Sequence, residues 1–475
     1  MDAASRNPEN PSAGPAPSAR QAALHTLLSL HPESPAGGYA IDRLIDRHAL
    51  PVRDRALAQE LVLGILRHQL TLRHVVAVVS GRRFKDIQPP LGHILLLAAY
   101  QLVCLDGIPP FAAVHEAVEQ AKRHAGPRAG RFVNAILREV ERDIEHRRIP
   151  MRQADPMRAV MVDSRQCCQF RRTVLPNPAL QAIEHLSLSA SHPAWLVSRW
   201  VAVFGMDQAR RICHAGLCRP PMVLRPNPLR TDLDRLVAAL ADDGIEVIPD
   251  PAAGVLVAAH AAGLTRTAAF KAGLFQVQDR TAMGVVRAMS PRPDQIIIDL
   301  CAGPGTKTTQ IAEMMRDTGR VLASDKDDER LAMVRDNAGR LGLTSIRTVP
   351  PREREAVFSG LDRLDWVLVD TPCSNTGVLS RRPEARYRAS DRSLASLTNL
   401  QNALLGEAAR FARPGTRLAY STCSIEPEEN EETIARFCQA HPEWQLVNSA
   451  RTMPKAGPEP ADWSDGGFWA ILQRS

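Results

Sequence analysis

Two cysteines are the residues most able to do chemistry: Cys373 in Val-Leu-Val-Asp-Thr-Pro-Cys-Ser (367 to 374) and Cys423 in Leu-Ala-Tyr-Ser-Thr-Cys-Ser (418 to 424), fifty residues apart. Each follows a short apolar run that reads as a buried parallel strand, and the C-terminal ends of such strands form the rim where open α/β sheets place ligands. Two thiols at one rim point to covalent chemistry on a weakly electrophilic ring. Carbon 5 of cytosine is a poor nucleophile until a thiolate adds at carbon 6, after which it is enamine-like and can attack a sulfonium methyl group. A base must then take the proton from carbon 5 so that the thiol can leave.

A methyl donor has a place to bind. After the strand Ile296 to Leu300 come Cys301, Ala302, Gly303, Pro304, Gly305, Thr306 and Lys307, and then a helix. The glycines let backbone approach a ligand closely, and the helix N-terminus offers free amides to a carboxylate or phosphate. The spacing is neither that of a nucleoside-triphosphate loop nor that of a dinucleotide fingerprint. Asp325, directly after the strand Val321 to Ser324, can accept from both ribose hydroxyls of an adenosine, so loop and acid together suit S-adenosylmethionine. The competing reading is that Asp325 caps the helix starting near Asp327.

Asp370, three residues before Cys373, is placed to hydrogen-bond the ring nitrogen and amino edge, and needs a proton of its own to donate. Lys307 can orient Asp370 or the base. Cys423 lies before a predicted helix whose first turn is Pro427, Glu428 and Glu429; its free amides favour a thiolate and its acids oppose one. Cys104, Cys213, Cys218, Cys301 and Cys438 read as space-filling residues.

The elements that must carry these groups fall into three parts. Residues 19 to 143 show apolar positions at helical spacing and predict a helical bundle; residues 1 to 18 read as a disordered lead. Residues 144 to 190, punctuated by Pro150, Pro156, Pro176 and Pro178, predict a linker with little core. A small α+β module is predicted over 191 to 275. From 276 to 475, apolar strands alternate with helices, which predicts a mostly parallel sheet covered on both faces.

At 475 residues the chain has room for about three domains. Its 44% apolar and 23% charged residues are globular values, and no apolar run approaches the roughly 20 residues of a membrane helix, so a cytoplasmic protein without membrane association is expected. Nine cysteines without metal-ligand spacing predict reduced thiols and no metal. The net charge of +7, with arginine pairs such as Arg82-Arg83 and Arg381-Arg382, favours an anionic polymer as partner, although a solvated basic surface reads the same way.

On these residues the chain resembles the RNA cytosine-5 methyltransferases, and within them the bacterial small-subunit ribosomal RNA methyltransferase B family, also called Sun or Fmu. The resemblance rests on Phe275 to Asp279, on 301 to 307, on Asp370 to Gly377 followed by Arg382-Pro383-Glu384, and on Ser421 to Ser424 with Pro427 to Asn430. The bundle is similar to a NusB-like domain at Arg53 to Leu57, Ala99 to Leu102 and Phe132 to Arg138, and His192-Pro193, Trp195 and Trp200 resemble the start of the middle module. It implies a NusB-like RNA-binding bundle, an RNA-binding middle module and a Rossmann-like domain that uses S-adenosylmethionine, acting as a monomer on 16S ribosomal RNA. It further implies Cys423 as nucleophile, Cys373 as the residue that assists release, and donor contacts from 301 to 307, Asp325 and Asp370. Other readings are a transfer RNA cytosine-5 methyltransferase and a noncatalytic RNA-binding or assembly factor. Three features depart from the family: Thr306 stands where a second glycine is usual, Thr348-Val349-Pro350-Pro351 lack the acid that follows the third strand, and 144 to 190 match no motif.

Overall fold

The computed structural model describes residues 17–30, 38–258 and 263–474; residues 1 to 16 of the expected lead lie outside them. Two compact units divide after Ile144.

The first unit is helical: α1 (Ala19–Ser29), α2 (Gly38–Asp46), α3 (Val52–Ser80), α4 (Pro89–Cys104) and α5 (Pro110–Asp143). Ser18 starts α1 with a capping box, its hydroxyl accepting from the Gln21 amide while the Gln21 side chain accepts from the Ser18 amide. Prolines open α4 and α5, where a missing amide hydrogen costs nothing. Inside α5, Ala125 and Gly126 leave helical geometry just before Pro127, whose ring crowds the preceding residue out of it. By length and composition α3 could cross a membrane. Leu61, Val62, Ile65, Leu72, Val75 and Val76 are nevertheless buried within the bundle, as in the core helix of a globular unit.

The second unit begins with a correction. Residues 144 to 190 are not a coreless linker: β1 (Ile144–Pro150), β2 (Ala159–Met161) and β3 (Gln166–Phe170) form a sheet in the order β1-β3-β2. Cys167, Cys168 and Phe170 are buried in it, so the adjacent cysteines fill space. Next come α6 (Ala182–Ser189), α7 (Ala194–Phe204) and α8 (Met206–Leu217). Their apolar faces enclose Trp200 together with Leu379, Ala385 and Ile425, which belong to the segments after the two cysteines.

A second antiparallel sheet, ordered β5-β6-β4-β7, joins β4 (Met222–Pro226), β5 (Ile248–Asp250), β6 (Val255–Ala258) and β7 (Phe275–Val277). Helices α9 (Leu233–Asp242) and α10 (Ala268–Lys271) cover it through Leu236, Leu240 and Ala269.

The third part holds α11 (Arg280–Met289), β8 (Ile296–Asp299), α12 (Thr306–Met314), β9 (Arg320–Ala323), α13 (Asp328–Leu341), β10 (Ile346–Thr348), α14 (Arg354–Ser359), β11 (Trp366–Asp370), α15 (Ala385–Arg388), α16 (Asp391–Phe411), β12 (Arg417–Thr422), α17 (Glu431–Ala440), β13 (Trp444–Thr452) and β14 (Gly467–Arg474). The sheet order is β10-β9-β8-β11-β12-β14-β13. The first five strands are parallel, and β14 and β13 add an antiparallel edge. Strand order reverses between β8 and β11, and the crevice at such a reversal is where open α/β sheets bind ligands.

Candidate active site

Strand register places the two cysteines together. Asp370 pairs with Ser421 across β11 and β12, so chains leaving the two strands start side by side, and Cys373 and Cys423 follow within three residues. Their sulfurs lie 3.1 Å apart. Cys423 also lies 3.2 Å from Asn375 Oδ1, and Asn375 donates to the Cys373 carbonyl at 2.8 Å, which closes the turn over the pair. Gly377 donates to the Cys423 carbonyl at 3.0 Å, and the Gly466 amide donates to the Gly377 carbonyl at 2.7 Å. A Cβ at 377 would come within 2.4 Å of the Gly466 oxygen, so only glycine fits where three segments meet.

The thiols sit in unlike fields. Cys423 is held below the usual thiol range by the hydrogen bond from Cys373, with Arg382 and Lys307 adding to the effect against burial and Asp370. Cys373 is pushed well above it by the same hydrogen bond, then by burial and by the charges of Cys423 and Glu429. The Glu429 charge thus bears on Cys373, not on Cys423 as the sequence suggests. The turn Pro427–Glu429 is a separate 3-10 segment ahead of α17, which redirects both acids.

Lys307, second residue of α12, donates to Asp370 Oδ2 at 2.7 Å. Burial disfavours the Lys307 charge, but Asp370, Cys423 and Asp299 outweigh it and raise its pKa. In this contact Asp370 is the acceptor, and Lys307 is in reach to orient it.

Beside the glycine loop, Asp325 is buried, its Oδ2 accepting from the Gly303 amide at 3.0 Å and its Oδ1 from the Asp327 amide at 3.1 Å. The cap of α13 is Asp327 itself, which accepts from Glu329 and Arg330. Asp325 is therefore turned back onto the loop. A Cβ on residue 303 would lie 2.9 Å from Asp325 Oδ2 and 2.4 Å from Arg330 Cβ, so the loop backbone approaches the acid as only glycine allows. Cys301 is partly exposed with a thiol raised by burial, and Ala302 is buried with its amide on the Ser324 carbonyl. The Pro304 carbonyl accepts from Asn337 at 3.0 Å, and the Gly305 amide donates to Ala302. Thr306 opens α12 and its carbonyl accepts from Arg225 at 3.0 Å.

Sequence reading missed Asp299 and the ties behind the cysteines. Asp299 is wholly buried, accepts from Thr308 at 2.7 Å, and has its carboxyl raised by burial to about 7. Behind the cysteines, buried Arg386 donates to the carbonyls of Ser191 (2.8 Å), Gly216 (2.7 Å), Leu379 (3.2 Å) and Pro383 (3.1 Å). Glu426, also buried, accepts from Arg199 at 2.7 Å and from the Trp200 indole at 2.9 Å. Arg225 of β4 grips Glu313 of α12 through two bonds of 2.9 Å. Among the described residues no cluster of His, Cys, Asp and Glu could hold a metal ion.

Residues 286–459 match the family described as 16S rRNA methyltransferase RsmB/F, residues 17–142 the NusB family, and residues 192–261 the RsmF/B-like ferredoxin-like domain. The chain is 32% identical over 432 residues to the probable ribosomal RNA small subunit methyltransferase B of Bacillus subtilis, covering 90% of each chain. It is 33% identical over 432 residues to ribosomal RNA small subunit methyltransferase B of Sodalis glossinidius, covering 89% of this chain and 90% of that one. The chain belongs to the ribosomal RNA small subunit methyltransferase B family.

Its fold is similar to that of the crystal structure of PH0851, with a TM-score of 0.73 at 24% identity over 96% of this chain and 98% of that one. The family's three parts, a NusB bundle, a ferredoxin-like module and a Rossmann-like domain with a mixed sheet, are all present. Methyltransferases of this family depend on S-adenosylmethionine, and the loop fits that group: a backbone cradle at Gly303 faces a buried carboxylate at Asp325.

Proposed function

We propose that this chain methylates carbon 5 of a cytosine in small-subunit 16S ribosomal RNA, with Cys423 forming a transient bond to carbon 6 and Cys373 assisting its release. The observation that carries this reading is the 3.1 Å contact between two thiols in opposite fields. A low-pKa thiolate is the attacking species, and Cys423 is the member of the pair that the cations favour. The target base is extruded from its stack to reach the rim.

S-adenosylmethionine, held by 301 to 307 and Asp325, supplies an electrophilic methyl group. This chain's residues do the rest. Asp370 accepts from the amino edge of the base, and Lys307 offers the ring nitrogen a proton donor as charge develops there. Once carbon 5 carries the methyl group, its proton passes to water and the sulfur–carbon bond breaks. The partner is ribosomal RNA, and the setting is the cytoplasm.

The test is incubation with undermethylated small-subunit RNA and labelled donor. Cys373→Ala is expected to trap a denaturant-resistant protein–RNA adduct, and Cys423→Ala to give neither adduct nor product. The reverse pattern reassigns the two roles, and turnover by Cys423→Ser removes the covalent step.

A further inference from the structure

Glu429 has no part in the chemistry above, yet it is completely buried beside it. It follows Cys423 in the chain, but its side chain serves the loop of the other cysteine. Oε1 accepts from the Ser374 amide at 2.9 Å and from Gln401 Nε2 at 3.0 Å, and Oε2 accepts from the Ser374 hydroxyl at 2.5 Å. Gln401, on α16, also donates to the Pro372 carbonyl at 3.0 Å, so the Pro-Cys-Ser turn is gripped on both sides of the thiol.

Directly behind the sulfurs, the serines that follow the two cysteines meet: Ser374 and Ser424 hydroxyls are 3.1 Å apart, and Thr376 lies 3.2 Å from each. Three hydroxyls in mutual contact need an outside acceptor to fix which way their protons point, and the Glu429 carboxylate is that acceptor. The Tyr420 hydroxyl donates to the Glu429 carbonyl at 2.5 Å and holds the residue from below. The titratable and charged groups facing Cys373 are thus Cys423, Glu429 and Tyr420, whereas Cys423 faces Cys373, Arg382, Asp370 and Lys307.

We propose that Glu429 is a positioning residue that fixes Cys373 against Cys423 and keeps it the proton-bearing member of the pair, so that Cys373 hydrogen-bonds the sulfur leaving the pyrimidine. The proposal rests on the covalent reading above. In the release step the bond from carbon 6 to the Cys423 sulfur breaks and its electron pair stays on that sulfur. The carbon 5 to hydrogen pair becomes the ring double bond, and the proton goes to water. Cys373 keeps its own proton and shares it with the departing thiolate, which makes that thiolate a better leaving group. Loss of Cys373 then strands the adduct.

The first part of the test needs no RNA. Alkylation of each cysteine by iodoacetamide is followed by peptide mass spectrometry over a pH series, in the full chain and in Glu429→Gln and Glu429→Asp. Glu429→Gln removes a negative charge that opposes the Cys373 thiolate; because burial raises the Glu429 carboxyl, the expected speeding of Cys373 alkylation, about tenfold, holds where that carboxyl is ionised and fades as pH falls through its pKa. Glu429→Asp should restore most of the difference. With RNA and donor, Glu429→Gln should lower kcat with KM unchanged and accumulate adduct. Ser374→Ala, which removes one of the same bonds, should move Cys373 the same way by about threefold, and serves if Glu429→Gln does not fold. A folded Glu429→Gln or Ser374→Ala with the wild-type Cys373 profile overturns the proposal. Absence of any adduct in Cys373→Ala, with the faster alkylation present, overturns only the covalent reading.

Discussion

The glycine loop proposed to hold the donor and the thiol pair occupy the ends of neighbouring strands, yet they are secured by opposite means. The donor loop is held by its near neighbours in the chain: Gly303 to Asp325, Thr308 to Asp299 and Asn337 to Pro304 span 22, 9 and 33 residues. The thiol loops are held from far away, with Arg386 reaching Ser191 and Gly216 across 195 and 170 residues, and Trp200 and Arg199 reaching Glu426 across 226 and 227. The long tie on the donor side, from Arg225, lands on the helix behind the loop. The lesson is that α7 and α8 buttress the segments that follow the two cysteines, so a change in those helices is felt at the thiol pair before it is felt at the glycine loop.

The contrast can be broken most severely at Arg386. Arg386→Ala leaves four buried carbonyls without their partner and should cost about 3–5 kcal/mol with complete loss of turnover, read by denaturant unfolding and methyl incorporation. A variant as stable as wild type would mean that the module does not buttress the site. Glu426→Gln is milder: it weakens the tie to Arg199 and is expected to lower kcat by about a hundredfold, as a misplacement of about an ångström does. Donor affinity measured by calorimetry should stay unchanged; a parallel fall would erase the distinction between the two regions.

Gly303→Ala probes the other side. The added carbon meets Asp325 and Arg330, so donor affinity should drop about tenfold, roughly 1.4 kcal/mol, while unfolding of the module and the reactivity of Cys423 toward iodoacetamide stay as in wild type. The last prediction is a pH dependence from Asp299. Its folded-state pKa is raised to about 7, so the neutral carboxyl stabilises the fold fully below about 4, the unfolded value, and that contribution is lost as pH rises through about 7. Thermal melts of Asp299→Asn should match wild type in acid and exceed it above neutrality; a constant difference would show that Asp299 does not titrate.

Legibility in the sequence follows the same division. Strands 296 to 299 and 366 to 370, the glycine loop and the turns at both cysteines are local patterns, and strand ends with loops announce them. Register then brings Cys373 to Cys423, which no local pattern specifies. The sheet of β1, β2 and β3 is hidden because its strands are short and β1 is rich in charged residues, so neither alternation nor an apolar run marks it. Strand β13 is hidden because it is mostly exposed, whereas β14 carries the apolar run Phe468 to Leu472, whose place beside β12 only the register reveals. Arg386 looks like any surface arginine until the fold closes around it. Glu429 is visible as part of Pro-Glu-Glu-Asn, but a carboxylate beside a helix start gives no sign that it will point at the other loop.

Strand β14 is inserted between β12 and β13, although it comes later in the chain than either. Gly466, just ahead of it, is the residue that locks the loops of both cysteines. On the ribosome, where domains fold as units in the order of their synthesis, both sulfurs and the donor loop emerge before the strand that walls them in. A nascent chain therefore carries both sulfurs and the glycine loop before residues 467 to 474, the strand that closes the sheet beside them, have been added.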